Sequence, residues 1–294
     1  MPAAATDALR EAVRQITGNA AILRLTEVGG GSISRACIVE TPGGKYFVKL
    51  GRGGPPGLFD AEADGLAALA RCREIRVPCV AGRGTAGDYA WLALEAIDLR
   101  PLTPGEAAAA GRALAALHRI AGQEFGWPRG NYIGRTPQSN RPNADWAAFF
   151  RDERLRPQLE LARRRGAPAA LIGRGETLAA RVPALLAGHR PEPSLLHGDL
   201  WSGNAAADAA GNLVLFDPAV YHGDREADLA MTELFGGFPP QFHAAYRKEH
   251  PLPEGYPARR TLYNLYHVLN HYNLFGGAYA RQAERMIGEL LGEG

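Results

Sequence analysis

The stretch from Ser194 to Asp217, SLLHGDLWSGNAAADAAGNLVLFD, constrains this chain more than any other. Two short apolar runs, Leu195-Leu196 and Leu213 to Phe216, enclose His197-Gly198-Asp199, then Asn204, then a turn at Asp208-Ala209-Ala210-Gly211-Asn212. The Gly-Asn turn predicts that the two runs are strands of one hairpin. Such a hairpin brings Asp199, Asn204 and Asp217 to one end. Two carboxylates and an amide oxygen there form a hard-oxygen site suited to Mg²⁺ carrying phosphates. The plain alternative is a hairpin whose Asp and Asn side chains only cap turns, their commonest use.

The rest of the composition narrows the partners. With 294 residues the chain can hold one large domain or two lobes. Apolar content of 46% and charged content of 22% are ordinary for a soluble globular protein. A net charge of +2 gives no reason to expect nucleic acid or an anionic membrane as partner. No apolar run is long enough to span a bilayer, and the N-terminus lacks the hydrophobic segment of a secretory signal. Cys37, Cys72 and Cys79 are odd in number and lack metal-ligand spacing, which fits free thiols in a reducing cytoplasm. The only lysines are Lys45, Lys49 and Lys248, so a lysine kept at one particular place carries information.

In the first third, residues 6–17 predict an amphipathic helix with Thr6 as N-cap and Gly18 as terminator. Leu25 to Val28, a run ending at Glu40, and Tyr46 to Leu50 read as strands, with glycines at 29–31 after the first. This glycine loop is not a Walker A motif, because no Gly-Lys-Ser/Thr follows and no helix begins there. Backbone N–H groups at Gly30, Gly31 and Ser32 could approach phosphate oxygens closely. Lys49 lies on an otherwise apolar strand and needs an anionic partner if it points inward. Leu58 to Leu69 reads as a helix carrying Glu62, and Val77 to Val80 with Tyr89 to Leu94 complete an antiparallel sheet.

Beyond residue 96 the pattern is mainly helical. Thr103-Pro104-Gly105-Glu106 is a capping box with proline at the first helical position, opening an Ala-rich helix closed near Gly122. His118 on that helix reads as a packing residue. Phe125 to Trp146 is a loop by composition, and loops of this kind often touch ligands. Helices are expected at 145–165, 174–188, 239–249, 258–272 and 277–291, with another opening at Gly223 to Leu229. The run Arg163-Arg164-Arg165 reads as a solvated helix end, and His267 and His271 as core and rim.

The spacing H-x-D-x-x-x-x-N, followed by D-P-A, resembles the catalytic and metal-binding loops of the protein-kinase-like fold. The wording HGDLWSGN…DPAVYHGDREADLAMTELFGGFP is closer still to the fructosamine kinases, or ketosamine 3-kinases, and the resemblance spans nearly the whole chain. It implies an α+β, two-lobed fold: a small antiparallel-sheet nucleotide lobe over 1–95 and a larger, mostly helical catalytic and substrate lobe over 96–294. It implies ATP and Mg²⁺ as cofactors, with Asn204 and Asp217 on the metal and Asp199 accepting the proton of a substrate hydroxyl. Lys49, paired with Glu62, would orient the phosphates beneath Gly30, Gly31 and Ser32. Main-chain groups at Glu95 and Ile97 would read the adenine edge. His197 and Asp228 would be scaffold.

Within that resemblance Trp201, Asn131 and Trp146, with Gln138 and Asn140, are candidates for shaping the sugar site. Trp201 could also offer its face to a protonated amine. The implied activity is phosphorylation at O3 of fructosamines or ribulosamines, whose unstable 3-phosphate breaks down to release the amine. Many members carry a cysteine in the glycine loop where this chain has Ser32, so a redox switch through a loop-to-loop disulfide is not expected. Three other readings stand beside this one. They are another small-molecule kinase of the same fold acting on an aminoglycoside, choline or homoserine, a nucleotide-binding scaffold without turnover, and a metal hydrolase using His197 and Asp199. The last needs further histidine ligands at suitable spacing, and none is evident.

Overall fold

The computed structural model describes residues 1–29 and 35–293, so Gly30, Gly31 and Ser32 lie outside the described residues. The first lobe is a five-stranded antiparallel sheet in the order β1-β2-β3-β5-β4. Its strands are β1 (Arg24–Val28), β2 (Arg35–Thr41), β3 (Gly44–Arg52), β4 (Val80–Ala86) and β5 (Tyr89–Glu95). Helix α1 (Ala3–Thr17) covers one face, where Leu9 and Val13 meet Val39, Val48, Leu50 and Trp91. Helix α2 (Leu58–Leu69) lies on the other, with Phe59 and Leu66 against Leu92 and Leu94. Each fully buried Leu, Val or Phe here contributes roughly 1.5–3 kcal/mol of apolar transfer, so both faces are strongly held.

Two details of this lobe correct the sequence expectation. Helix α1 starts three residues early, on extended Pro2, and Thr6 sits inside it with its hydroxyl donated back to the Pro2 carbonyl at 3.3 Å. Gly18 does end the helix, in the left-handed conformation at φ 75°. The fourth strand is Val80–Ala86 rather than Val77 to Val80. Its glycines hid it from a propensity reading, yet they lie against the Trp91 ring, where a Cβ at Gly84 would come within 3.1 Å.

The second lobe begins with α3 (Pro104–Leu117), whose capping box forms as expected, Thr103 N–H donating to Glu106 Oε2 at 3.0 Å. The helix stops at Leu117 rather than near Gly122. The segment expected to be a loop contains a small hairpin, β6 (Asn131–Ile133) and β7 (Thr136–Gln138). A continuous helical segment follows: α4 (Trp146–Phe149), a π-type stretch (Phe150–Leu155) and α5 (Arg156–Arg164). Next come α6 (Ala169–Leu185), starting earlier than expected, then α7 (Glu226–Leu234), α8 (Pro240–Glu249), α9 (Tyr256–Phe275) and α10 (Ala278–Leu291). No helix among the described residues is long and apolar enough to cross a membrane.

Strand pairing around the Ser194–Asp217 stretch differs from expectation. Strand β9 (Ala205–Ala207) pairs with β10 (Leu213–Leu215) across the Asp208–Asn212 turn. Strand β8 (Ser194–Leu196) pairs instead with β11 (Tyr221–Gly223). Three consecutive alanines carry no β-propensity signal, so the true partner of Leu213–Leu215 was not evident. Two short antiparallel pairs thus replace one hairpin, and the loops between them still meet.

Besides the connection after Glu95, the lobes meet at several places, two of which set the cleft. Arg76 exchanges backbone hydrogen bonds with Leu213 and Leu215, and its guanidinium binds Glu95 at 2.6 Å and Asp208 at 2.8 Å. Helix α2 approaches the segment after Asp217 at Gly65, where a Cβ would meet Pro218 Cγ at 2.9 Å. Only a residue without a side chain allows that approach, and it sets Glu62, one turn earlier, beside Asp217.

Candidate active site

Between the lobes lies a cavity of about 580 Å³ lined by Lys49, Glu62, Asp199, Asn204 and Asp217, by Glu95 to Ile97, and by Trp201 and His271. The backbone of the His197-Gly198-Asp199 loop is fixed from below. Both oxygens of the buried Asp228 are taken by main-chain donors, Oδ2 by His197 N–H at 2.7 Å and Oδ1 by Gly198 N–H at 2.9 Å. His118 Nε2 adds a contact to Oδ2 at 3.2 Å, and Tyr246 Oη lies 2.7 Å from its Nδ1. Burial would raise the Asp228 pKa, but these partners outweigh it and hold it below the ordinary carboxylate value. Gly198 has φ 82°, and a Cβ there would stand 2.1 Å from the Ala219 carbonyl oxygen.

His197 is fully buried and both ring nitrogens are engaged, Nε2 donating to Phe216 O at 3.0 Å and Nδ1 accepting from Asp199 N–H at 3.2 Å. Desolvation lowers its pKa and keeps it neutral. A histidine so used has no lone pair left for a metal, which removes the geometric basis of the hydrolase reading. The two loops are further stitched by Ala219 N–H to His197 O at 2.8 Å and Phe216 N–H to Asn204 O at 3.2 Å.

Asn204 donates its amide to the Asp199 carbonyl at 2.9 Å and to Asp199 Oδ2 at 3.2 Å. That orientation turns its acceptor oxygen the other way. Asp217, at φ 57°, is the one non-glycine residue with positive φ among those described. A short-chained aspartate tolerates that conformation, which aims its carboxylate into the cavity. Lys49 reaches Glu62 Oε1 at 2.6 Å and also bonds Asp217. Burial alone would depress the lysine pKa, but Glu62 and Asp217 together raise it above its ordinary value, so the ammonium persists. Burial pushes Glu62 upward against the pull of Lys49. Asp199 is pushed up to about 7, by desolvation first and then by the Asp217 charge. A carboxyl whose pKa lies near neutrality can take a proton from a hydroxyl.

At the outer end of the cavity Trp201 is 38% exposed and lies over Gly203, where an added Cβ would strike its ring at 2.3 Å. Phe235 meets it edge-on at 6.2 Å and reaches His271 at 4.9 Å. Burial lowers the His271 pKa, and its Nδ1 donates to His267 O at 2.8 Å, which leaves Nε2 as an acceptor. Phe235 and Phe275 were not singled out from the sequence. FGGFP and an aromatic near a helix end look like any packing residue until α9 is seen to line the cavity.

Of the sequence candidates for the sugar site, Trp146, Gln138 and Asn140 do not line the cavity, while Asn131 does. Trp146 does not reach the cavity: it is 4% exposed, packed with Phe125, Phe149 and Phe150, and donates to Tyr263 Oη at 2.9 Å. Asn131 touches the cavity wall but is 5% exposed, and its amide is spent on Val220 O, Gln138 and Asn140. Gln138 and Asn140 are buried in the same way. Gln138 and Asn140 lie behind the cavity wall, with their amides bonded to Asn131.

A two-lobed body, with a sheet lobe facing a helical lobe across a cleft that holds lysine, aspartate and asparagine, defines a phosphotransferase of the protein-kinase-like class. The choline kinase LicA of Streptococcus pneumoniae shares the fold at TM-score 0.66 over 96% of this chain and 97% of that one, with 16% identity. The sequence pattern described as fructosamine kinase matches residues 5–293, and the chain belongs to that family. A probable ketoamine kinase of Synechocystis is 43% identical over 96% of each chain. The chloroplastic protein-ribulosamine 3-kinase of Arabidopsis thaliana is 40% identical over 99% of this chain and 90% of its own. A candidate fructosamine-3-kinase structure from Thermobifida fusca superposes at TM-score 0.87 with 35% identity, covering 97% of this chain and 99% of that one.

Proposed function

We propose that this protein transfers the γ-phosphoryl group of ATP to the O3 hydroxyl of a ketosamine, a fructosamine or ribulosamine, and so starts removal of the sugar from the amine. The observation that carries the reading is the meeting of Lys49, Asp199, Asn204 and Asp217 in one cavity beside an aromatic rim. The division falls after Glu95, with residues 1–95 as nucleotide lobe and 96–294 as catalytic and substrate lobe. Main-chain groups at Glu95 and Ile97, both on the cavity wall, are the proposed adenine contacts.

The donor set suits Mg²⁺: a carboxylate held forward by an unusual backbone at Asp217, and an asparagine whose nitrogen is tied back so that only oxygen faces out. When bound, that ion would neutralise phosphate charge. Lys49, held protonated by Glu62, supplies a fixed positive charge for phosphate oxygens. Asp199 orients the attacking hydroxyl and accepts its proton. Because phosphoryl transfer has a loose transition state, most of the rate comes from this placement and from charge already in position. Trp201, Phe235 and His271 present apolar faces and one acceptor nitrogen to the sugar and its amine. The product 3-phosphate is set to eliminate phosphate and release the amine.

A substrate screen by ADP release tests the assignment. Fructosyl-lysine and ribulosyl-lysine should release ADP well above an aminoglycoside, choline or homoserine. Preference for one of the latter would favour another kinase of this fold, and no release with any acceptor would favour a scaffold without turnover.

A further inference from the structure

The function proposed above gives no role to the buried amides Asn131, Gln138 and Asn140, nor to Arg154 beneath them. The Arg154 guanidinium is fully buried, and among the described residues no carboxylate lies within ion-pair distance of it. It rests on aromatic faces instead, 3.9 Å from the Tyr221 ring centre and 4.7 Å from that of Phe149. It donates to Ser139 O at 2.6 Å and to Asn140 Oδ1 at 2.7 Å. Asn140 and Gln138 each donate to Asn131 Oδ1 at 2.8 Å. The network ends on two backbone carbonyls, Val220 O, held by Asn131 at 2.7 Å, and Ala219 O, held by Gln138 at 3.0 Å. Tyr266 fixes the Gln138 amide by donating to its Oε1 at 2.7 Å.

Burying a cation without a counter-ion is costly, and the π-type turn that carries Arg154 is a rare deformation that recurs at functional sites. Both costs fall at one place. We propose that the chain Arg154–Asn140–Asn131/Gln138 is a positioning device that sets Asp217 against Asp199 by gripping the carbonyls of Ala219 and Val220. Ala219 is where the two loops meet, its N–H bonded to His197 O and its carbonyl seated against Gly198. Asp217, two residues before it, keeps a left-handed backbone that persists only where its surroundings over-determine it. The inference rests on the reading of Asp217 as a metal ligand.

The test compares Gln138→Met, Tyr266→Phe and Asp217→Asn with the full-length wild type, and Ile133→Val as a core control in the same hairpin. Readouts are melting temperature, exchange of the Ala219 amide, Mn²⁺ affinity with ADP present, and steady-state kcat. Gln138→Met should speed Ala219 exchange and cut Mn²⁺ affinity and kcat by about 10-fold, the lower end for loss of a support behind a metal ligand, with KM for ATP little changed. Tyr266→Phe should move the same quantities in the same direction by less, and it decides the matter if Gln138→Met does not fold. Ile133→Val should lower the melting temperature and move none of them. An Asp217→Asn protein that keeps wild-type Mn²⁺ affinity overturns the reading of the site. If Asp217→Asn loses Mn²⁺ while folded Gln138→Met or Tyr266→Phe matches wild type in affinity and kcat, the positioning network alone is overturned.

Discussion

Lys49 Nζ lies 2.6 Å from Glu62 Oε1, a contact between the third strand and the second helix of the first lobe, and the same ammonium bonds Asp217 of the second lobe. One buried cation therefore ties both lobes across the cavity. Lys49→Met should lower kcat/KM by roughly 10²–10³-fold, as expected for a fixed charge acting on the reacting group. It should also leave Glu62 and Asp217 facing each other without a cation. Its melting temperature should therefore fall most at pH 8 and recover as the pH is lowered, which thermal scans across pH would show.

Asp199→Asn should lower kcat by roughly 10²–10⁴-fold while ATP still binds, as for loss of a positioned acid–base group. The stability effect has the opposite sign. Asp199 binds its proton more tightly when folded, near pH 7, than when unfolded, near 3.8. Its contribution to stability is full below the unfolded value and is lost as pH rises through about 7. The ligand-free Asn variant should therefore melt higher than wild type at pH 8, and the difference should shrink at pH 5. Paired kinetics and calorimetry would check both halves.

His267 gives a second pH signature. Burial lowers its pKa to about 3, with Nδ1 unpaired, so the folded protein resists protonating it. A base whose folded pKa is depressed contributes stability above its unfolded value of 6.5, lost as pH falls toward 3. Replacing it by Gln should flatten the fall in stability between pH 6.5 and 4 in denaturant titrations.

Trp201→Ala should raise KM for the ketosamine by about 10-fold, the scale of one desolvated cation–π contact, and leave KM for ATP unchanged. Gly203→Ala should act in the same direction without touching the indole chemically, because its methyl would meet the ring at 2.3 Å and displace it. Kinetics with both substrates varied would separate the two KM values.

That Lys49, Asp199, Asn204 and Asp217 meet in one cavity was legible in the sequence, because spacing and residue type are displayed there directly. His118, read as a packing residue, is buried against Asp228 and Tyr246, but its bond to Asp228 was not foreseen. What failed was the identity of partners across space. Ala205–Ala207 pairs with Leu213–Leu215 because its backbone is free to do so, not because alanine favours strands. Trp146 and Asn131 sit in a polar, aromatic segment that looks like a ligand loop, yet burial turns the same side chains into core and floor. Arg154 gave no sign at all, since a buried arginine and a surface one are written alike.

The most direct test follows phosphorus itself. Wild-type protein with Mg²⁺–ATP and ribulosyl- or fructosyl-lysine, observed by ³¹P NMR, should give a new sugar phosphomonoester in step with ADP, decaying to inorganic phosphate as the amine is released, with no such signal from Asp199→Asn. Inorganic phosphate formed from ATP with no sugar ester, or an ester formed equally well by Asp199→Asn, would contradict the account.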